Sequence, residues 1–411
     1  MAKHAHAAAR NPFQPFQIAV AGFLALATLA TVIGMIVLWP AQDTPEVRAD
    51  FSFNQPHIKG EVQSVDNLLC DSPATGTEFD TPPLLPAVQT PGDCERALVT
   101  LENGRMTQLV HYGVTGEPDL SPGDKIVLSD SGDTYAFADF QREGTMWAWS
   151  VLTLVVIIAF AWWHGVRAIV GLTISLGLVY AFLLPGLMSG QAALPLSIVT
   201  CAAIVLVVVP LVHGINWKSA SAVSGSLLAL GIAAVLTQQA LATSRLQGLS
   251  DDNNLKLLLY LPEVSILGVL MCGFIVGALG GLNDVAIAQA STVTELADAD
   301  PAASPLRLFL SAMKVGRDHI ASMVYTLVLT YVGATLPLLL LIAAAGRTLG
   351  QTLTSDVMAT ELLRSSVGAL ALIMAVPLTT MIAALTVRAP KPQQSTLPPA
   401  SEQPLKHSAH Q

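Results

Sequence analysis

Residues 268–296 read GVLMCGFIVGALGGLNDVAIAQASTVTEL, and after a polar connection residues 314–337 read KVGRDHIASMVYTLVLTYVGATLP. The first run starts as a glycine-rich apolar helix of membrane length and passes without a break into an acidic, amphipathic segment. The second opens on a basic clamp and becomes a further apolar helix containing Tyr331 and Pro337. Spanning a bilayer takes about 20 consecutive apolar residues. Ionisable groups set against the ends of two such runs therefore mark where chemistry is to be sought. Gly273, Gly277 and Gly281 recur at every fourth position, with Gly280 beside the last, and make a small-residue stripe on one helical face. The stripe reads as close helix packing or as a hinge, and Pro337 falls in the same class. Asp284, Ala288, Ser291 and Glu295 then follow on one face. Asp284 lies at the edge of the apolar run, and two readings stand for it: a proton or cation carrier, or an acid on a helix at the membrane surface. Gly316-Arg317-Asp318-His319 is expected to open the next membrane helix. There Asp318 would suit the helix dipole, and Arg317 would either pair with Asp284 or snorkel to headgroups. Asp284, Ser291, Glu295, Arg317 and Asp318 are the candidate substrate or ion path.

Composition agrees with a membrane setting. Of 411 residues 52% are hydrophobic and 12% charged, about half the charged share of an ordinary soluble domain, and the mean hydropathy is +0.57. About eight apolar runs are expected to span: 17–39, 146–163, 167–187, 193–212, 219–237, 264–282, 321–345 and 365–387. The first is too long for the apolar core of a signal peptide and ends at Trp39-Pro40, so it reads as an uncleaved anchor. Between it and the second run the character changes. Short alternating stretches at 58–65, 97–101, 107–112 and 125–128 are separated by turn signals such as Glu102-Asn103-Gly104 and Ser121-Pro122-Gly123-Asp124. They predict a small β-barrel or sandwich.

The expected fold class is thus an α-helical polytopic membrane protein with a small extracytoplasmic β-barrel-like domain. Its parts are a cytoplasmic tail (1–16), an anchor (17–39), the β-rich domain (41–142), a seven-helix membrane domain (146–387) with a cytoplasmic amphipathic segment (283–320), and a disordered cytoplasmic tail (388–411). Lys3, Arg10, Arg167, Lys218, Arg307, Lys314, Arg317, Arg388, Lys391 and Lys406 share one side of this topology, against Arg245, Lys256, Arg347 and Arg364 in short loops on the other. The positive-inside rule then places both termini in the cytoplasm and the β-rich domain outside the cell membrane. Cys70 and Cys94 bracket a Pro- and Thr-rich loop of that domain. In an oxidising compartment they could pair, at a gain of roughly 3 kcal/mol; two free thiols are the alternative.

GALGGLNDVAIAQASTVTEL (277–296) and KVGRDHIASMVYTLVLTYVGATLPLLLLI (314–342), with GDKIVL (123–128) and TYAFADFQRE (134–143) upstream, resemble the YibE/F-like family of bacterial membrane proteins. The resemblance extends over nearly the whole chain. It implies the architecture just described and a permease-like role, without naming a substrate.

Three functions follow from these readings. One is a permease for a small solute or ion, which rests on the proline-bearing spans and the ionisable cluster. Another is a cell-envelope assembly, export-accessory or sensing protein that meets an envelope protein through its β-rich domain. The third, a membrane-embedded enzyme, lacks support: there is no His-Glu-x-x-His pattern, nucleophile elbow or phosphate-binding loop, and His57, His111, His164 and His213 are isolated. No catalytic residue, cofactor or metal ion is expected. The lipid bilayer is a partner, and nucleic acid is not, since no basic stripe is present.

Overall fold

The computed structural model describes residues 14–40, 56–67, 74–81, 94–132, 134–249 and 252–387. Contacts divide it into two compact units, 46–166 and a larger one built from 1–45 and 167–411.

In the smaller unit β1 (His57–Asp66), β2 (Glu78–Phe79), β3 (Glu95–Leu101), β4 (Met106–His111), β5 (Lys125–Asp130) and β6 (Tyr135–Phe140) form one antiparallel sheet in the order β2-β4-β3-β1-β5-β6. The four alternating stretches of the sequence become β1, β3, β4 and β5. Their alternation puts Val62, Ala97, Val99, Leu101, Leu109, Ile126 and Leu128 into one core. Gly60 is required where β1 crosses that core, because a Cβ there would lie 2.7 Å from Val99 Cγ1. The sheet curls into a half-barrel, and the Tyr135 amide donates to the Gly76 carbonyl at 2.7 Å, drawing β6 toward the segment before β2. The period-2 run Tyr-Ala-Phe-Ala, which is not among the four alternating stretches, forms the last strand. Cys94 is buried just before β3, whereas Cys70, and with it the pairing of the two, lies outside the described residues. So do the tails 1–13 and 388–411.

After the sheet comes α2 (Glu143–Leu178), which continues through a π turn at Val179–Leu183 into α3 (Leu184–Met188). Together these make a largely apolar stretch of 46 residues, about 69 Å as a straight helix and more than twice a bilayer's hydrocarbon thickness. The path breaks at Trp162, where φ is 47° and ψ −128°. A Cβ on Gly165 would lie 2.7 Å from the Ile157 carbonyl oxygen, although eight residues of straight helix separate groups by about 12 Å. The chain therefore bends sharply here. The two runs expected at 146–163 and 167–187 are the arms of one helical stretch.

The larger unit also contains α1 (Gln14–Val37), α4 (Ala193–His213), α5 (Trp217–Ser244), α6 (Asp252–Tyr260), α7 (Ile266–Ala299), α8 (Pro305–Ala334), α9 (Leu336–Ala344), α10 (Leu349–Leu353) and α11 (Asp356–Thr386). Among the described residues six helices are long and apolar enough to cross a membrane, or seven if α8 and α9 count as one span. The expected eight counts the two arms of the 143–188 stretch separately, and the run at 321–345 is bent by 66° between α8 and α9. Thr335 and Pro337 stand at that bend, with Pro337 in the first turn of α9, where its missing amide costs no hydrogen bond.

The centre of this bundle is the meeting of α5, α7 and α11. Ala222, Ala229, Ala233, Ala286, Ala290, Ala371, Ala375 and Ala383 are all essentially inaccessible there. Lipid tails are as apolar as leucine, so helices in a bilayer gain little from burying hydrocarbon and associate through close backbone approach. At Gly225 of α5 an added Cβ would collide with Thr379 of α11. Hydroxyls then bond across the narrow gap: Ser221 and Thr386 are 2.8 Å apart, and Gln17 Nε2 of α1 donates to the Thr386 carbonyl at 2.8 Å. The Gln17 bond sets the start of α1 and the end of α11 at the same end of the bundle.

Gly225→Ala should therefore be destabilising by about 1–3 kcal/mol, the usual cost of overpacking. Gly231→Ala, where a Cβ meets nothing within 4 Å, should be neutral or slightly stabilising. Thermal unfolding of the purified protein in detergent distinguishes the two; equal midpoints would remove the α5–α11 approach as a constraint.

Candidate functional site

The five residues expected to form a path occupy α7 and α8. Asp284 and Glu295 are exposed on α7, and Ser291 is half-buried between them. Arg317 and Asp318 are exposed on α8. Two expectations need correction. Asp318 does not open a helix: α8 begins at Pro305, capped by Ser304 Oγ, which accepts from the Arg307 amide. Asp318 is thus well inside the helix, beyond the first-turn reach of the dipole. Arg317 and Asp284 form no ion pair, and the described residues give Arg317 no carboxylate partner. The ionisable groups that act on Asp284 are His319 of α8 and His213 at the end of α4.

The inner face of the same part of α7 carries Gln289, which is 1% exposed. Thr380 Oγ1 of α11 donates to Gln289 Oε1 at 2.9 Å. Gly316 of α8 lies against the pair: a Cβ there would be 2.7 Å from Val376 Cγ1 and 3.0 Å from Gln289 Nε2. Gly316 is therefore the point at which α8 can come close enough to cover a buried amide. Gln289 thus ties α7 to α11 from the side of the helix opposite its acidic residues.

A second polar group stands nearer the start of α11. Arg364 Nη1 bonds Glu361 at 2.9 Å, one helical turn back, and both side chains are largely buried. The guanidinium carbon lies 5.4 Å from the Phe274 ring centroid and 5.7 Å from that of Tyr331, so α7 and α8 each contribute an aromatic face. The glycine stripe makes the room. Arg364 Nη2 is the nearest group to a Cβ built on Gly273, and the Tyr331 hydroxyl would meet one on Gly277 at 2.7 Å. Gly281 faces Leu372 and Met323, while Gly280 has open space around it. The four-residue spacing is thus a packing stripe, with two of its three positions accommodating polar side chains.

Beside Arg364 is a cavity of about 70 Å³ whose walls include Asn254, Leu270, Asp356, Val357 and Glu361. Asp356 Oδ1 and Oδ2 accept from the amides of Gln247 and Gly248 at 3.1 and 3.2 Å. Those bonds hold the connection after α5 against the first turn of α11. Between the Arg364 group and the Gln289 group lies an apolar layer of Ala278, Leu282, Val285, Leu372 and Val376, covered by Ile320 and Met323 of α8.

Arg364 was placed in a loop because the span was read as starting at Ser365. The helix starts at Asp356, which brings Arg364 into its third turn. The signal was present in the sequence: an acid and a base three apart are neighbours on a helix, and they directly precede an apolar run.

Removing one partner of the Arg364–Glu361 pair should cost stability, by less than the roughly 3–5 kcal/mol of a fully buried pair. Arg364→Met should be the worse single change, because it strands a carboxylate, and Glu361→Gln the milder one. The double variant should recover part of the Arg364→Met loss in thermal unfolding, and strict additivity would show the pair to be uncoupled.

A family model described as YibE/F-like protein matches residues 149–389, a span that contains α4 to α11 and the polar groups just described. No curated protein and no solved structure matches the chain.

Proposed function

We propose that this chain, which belongs to the YibE/F-like family, is a permease that carries a small solute between α7, α8 and α11. The observation that carries the reading is the Arg364–Glu361 pair, set inside a membrane-length helix beside a cavity. Ionisable side chains in such a position are costly and are kept where a solute or ion is handled. The separation of that group from Gln289 and Thr380 by an apolar layer supports the same reading, since a polar path closed by an apolar constriction is a gated one. The 66° bend at Pro337 supplies a candidate hinge in the helix that carries Tyr331. Asp284, with His213 and His319 near it, is the candidate for ion coupling, and Ser291, Glu295, Arg317 and Asp318 line the same side of the reading. The reading includes no catalytic step.

The inner membrane, with both termini cytoplasmic and the half-barrel outside, is the proposed location, from the distribution of Lys and Arg. In that compartment Cys70 and Cys94 pair. Cys201 and Cys272 are buried free thiols. Denatured, unreduced protein should then yield two titratable thiols and reduced protein all four cysteines of the sequence; four without reductant would refute the pairing.

Reconstitution into proteoliposomes tests transport. Counterflow of a labelled solute should be seen for wild type and fall by an order of magnitude or more in Arg364→Gln, the scale of losing a charge-assisted contact. Absence of flux for every solute class, with protein shown to be folded, would overturn the permease reading.

One observation favours a second reading, in which an envelope protein docks on the half-barrel. A groove of about 700 Å³ runs along β6 and the first turns of α2, lined by His57, Asp139, Phe140, Arg142 and Trp147. Asp139 is held below the usual carboxylate range, first by the Phe140 amide and then by Arg142, so it stays ionised at neutral pH. The outer edge of β6 offers backbone groups to an extended segment. Deletion of residues 50–142 should abolish activity with the helices still folded if this reading holds, and full activity without them would end it.

A further inference from the structure

The ends of three helices carry a second polar site, apart from the Arg364 group and independent of the permease reading. We infer that the groove between the start of α5 and the ends of α7 and α11 holds the headgroup of phosphatidylethanolamine, a lipid that carries a phosphate and a primary ammonium.

The groove has a volume of about 340 Å³ and is lined by Asn216, Trp217 and Lys218 at the start of α5, Thr294 and Asp298 of α7, and Val387 after α11. That volume falls in the range of small-molecule sites, roughly 300–1,000 Å³. The groove opens where three membrane-length helices end, and the Gln17 bond to Thr386 sets the start of α1 at the same end. Helix ends of this kind lie at the level of lipid headgroups, where a tryptophan such as Trp217 is enriched. Val387 is buried and adds an apolar wall.

Charge narrows the class. Lys218 and Asp298 share this groove, yet neither takes part in an ion pair among the described residues. Opposite charges that line one groove without pairing suit a ligand that carries both signs. An anion alone would be drawn by Lys218 and repelled by Asp298, and a cation alone the reverse. The phosphate of a zwitterionic headgroup belongs with Lys218, on the side where α5 presents the positive end of a 28-residue helix. The ammonium belongs with Asp298. Thr294, one turn earlier on α7, gives its hydroxyl hydrogen to the Ala290 carbonyl, which leaves its oxygen as a further acceptor. Two acceptors favour a primary ammonium, which has N–H donors, over the quaternary ammonium of choline, which has none. Asn216 is already committed, accepting from the Ser219 amide and donating to the His213 carbonyl, so it shapes the groove without holding the ligand.

The test is calorimetric titration of the purified, delipidated full chain in detergent with short-chain phosphatidylethanolamine, and with the phosphatidylcholine and phosphatidylglycerol of the same acyl chains. Saturable binding of phosphatidylethanolamine to wild type is expected, with a rise in the thermal midpoint. The other two lipids should bind about tenfold more weakly, the scale of losing a hydrogen bond between charged groups: choline cannot donate to Asp298, and phosphatidylglycerol has no ammonium. Lys218→Gln should weaken phosphatidylethanolamine binding about tenfold. Asp298→Asn should weaken it too while leaving phosphatidylglycerol binding at least as strong as in wild type, so the preference between the two lipids collapses. A merely structural role for Asp298 would change stability without changing that preference. If a variant fails to fold, the three-lipid comparison on wild type still decides. No saturable binding, equal binding of the three lipids, or a preference unchanged in Asp298→Asn would each overturn the proposal. Inorganic phosphate competing as well as the lipid would make the groove a phosphate site and overturn it as well. Absence of flux in proteoliposomes would remove the permease reading and leave this site standing.

Discussion

Close approach of α5, α7 and α11 is the constraint on which the bundle depends. In water the burial of leucine and valine would hold such helices together, but lipid offers those side chains an equally apolar surrounding, and association falls to van der Waals fit and interhelical hydrogen bonds. The chain meets this with alanine and glycine at the crossings. Gly225 faces Thr379, Gly316 faces Gln289 and Val376, and Gly277 faces Tyr331. Each glycine sits opposite a side chain with a polar atom. The narrow spacing that a missing Cβ permits is also what brings hydroxyl and amide groups within bonding range. Packing and polarity are in this way one device.

A consequence is that buried polar groups recur along the bundle, from Gln17, Ser221 and Thr386 at one end, through Gln289 and Thr380, to the Arg364–Glu361 pair. Gln289 and Thr380 are hydrogen-bonded across α7 and α11. At Arg364, Nη1 is paired with Glu361 while Nε is buried without an acceptor among the described residues. The apolar layer between the Gln289 and Arg364 groups is built from alanine, leucine and valine of α7 and α11 with α8 laid over it. Of the three helices that enclose this layer, α8 has the fewest buried residues and is the one interrupted at Thr335, so a rearrangement that opens a path moves α8 most readily.

The membrane class and most of the strands were legible because they rest on periodicity and on long apolar runs, signals carried by many residues at once. What was missed depended on single boundaries. The start of α11 was set by where hydrophobicity rises, at Ser365, whereas the helix is started by backbone hydrogen bonding from Asp356. That shift moved Arg364 from loop to interior. Asp318 was misplaced for the same reason: α8 begins at the Ser304 cap, and a polar first half hid the helix from a reading tuned to apolar runs. The bend at Trp162 had no sequence mark, since neither glycine nor proline stands at the break itself. Asp284 was singled out correctly as a helix-borne acid, but its proposed partner Arg317 lies elsewhere, because a shared face on one helix does not say which residue of another helix comes opposite.

The chemistry of the Arg364 group follows from what a membrane permits. A lone arginine in the third turn of a spanning helix would carry the full cost of a desolvated charge, and an arginine matched by carboxylates on all sides would have nothing left to offer. Glu361, three residues earlier on the same helix, neutralises the charge through one edge only, and its position on α11 means that the pair forms without help from any other helix. The two aromatic faces come from α7 and α8, so the orientation of the open edge depends on how those helices are placed. The charge is thus balanced by local sequence, and its direction is set by tertiary packing. A movement of α8 that withdrew Tyr331 would loosen the guanidinium without breaking its ion pair, so its orientation follows the position of that helix.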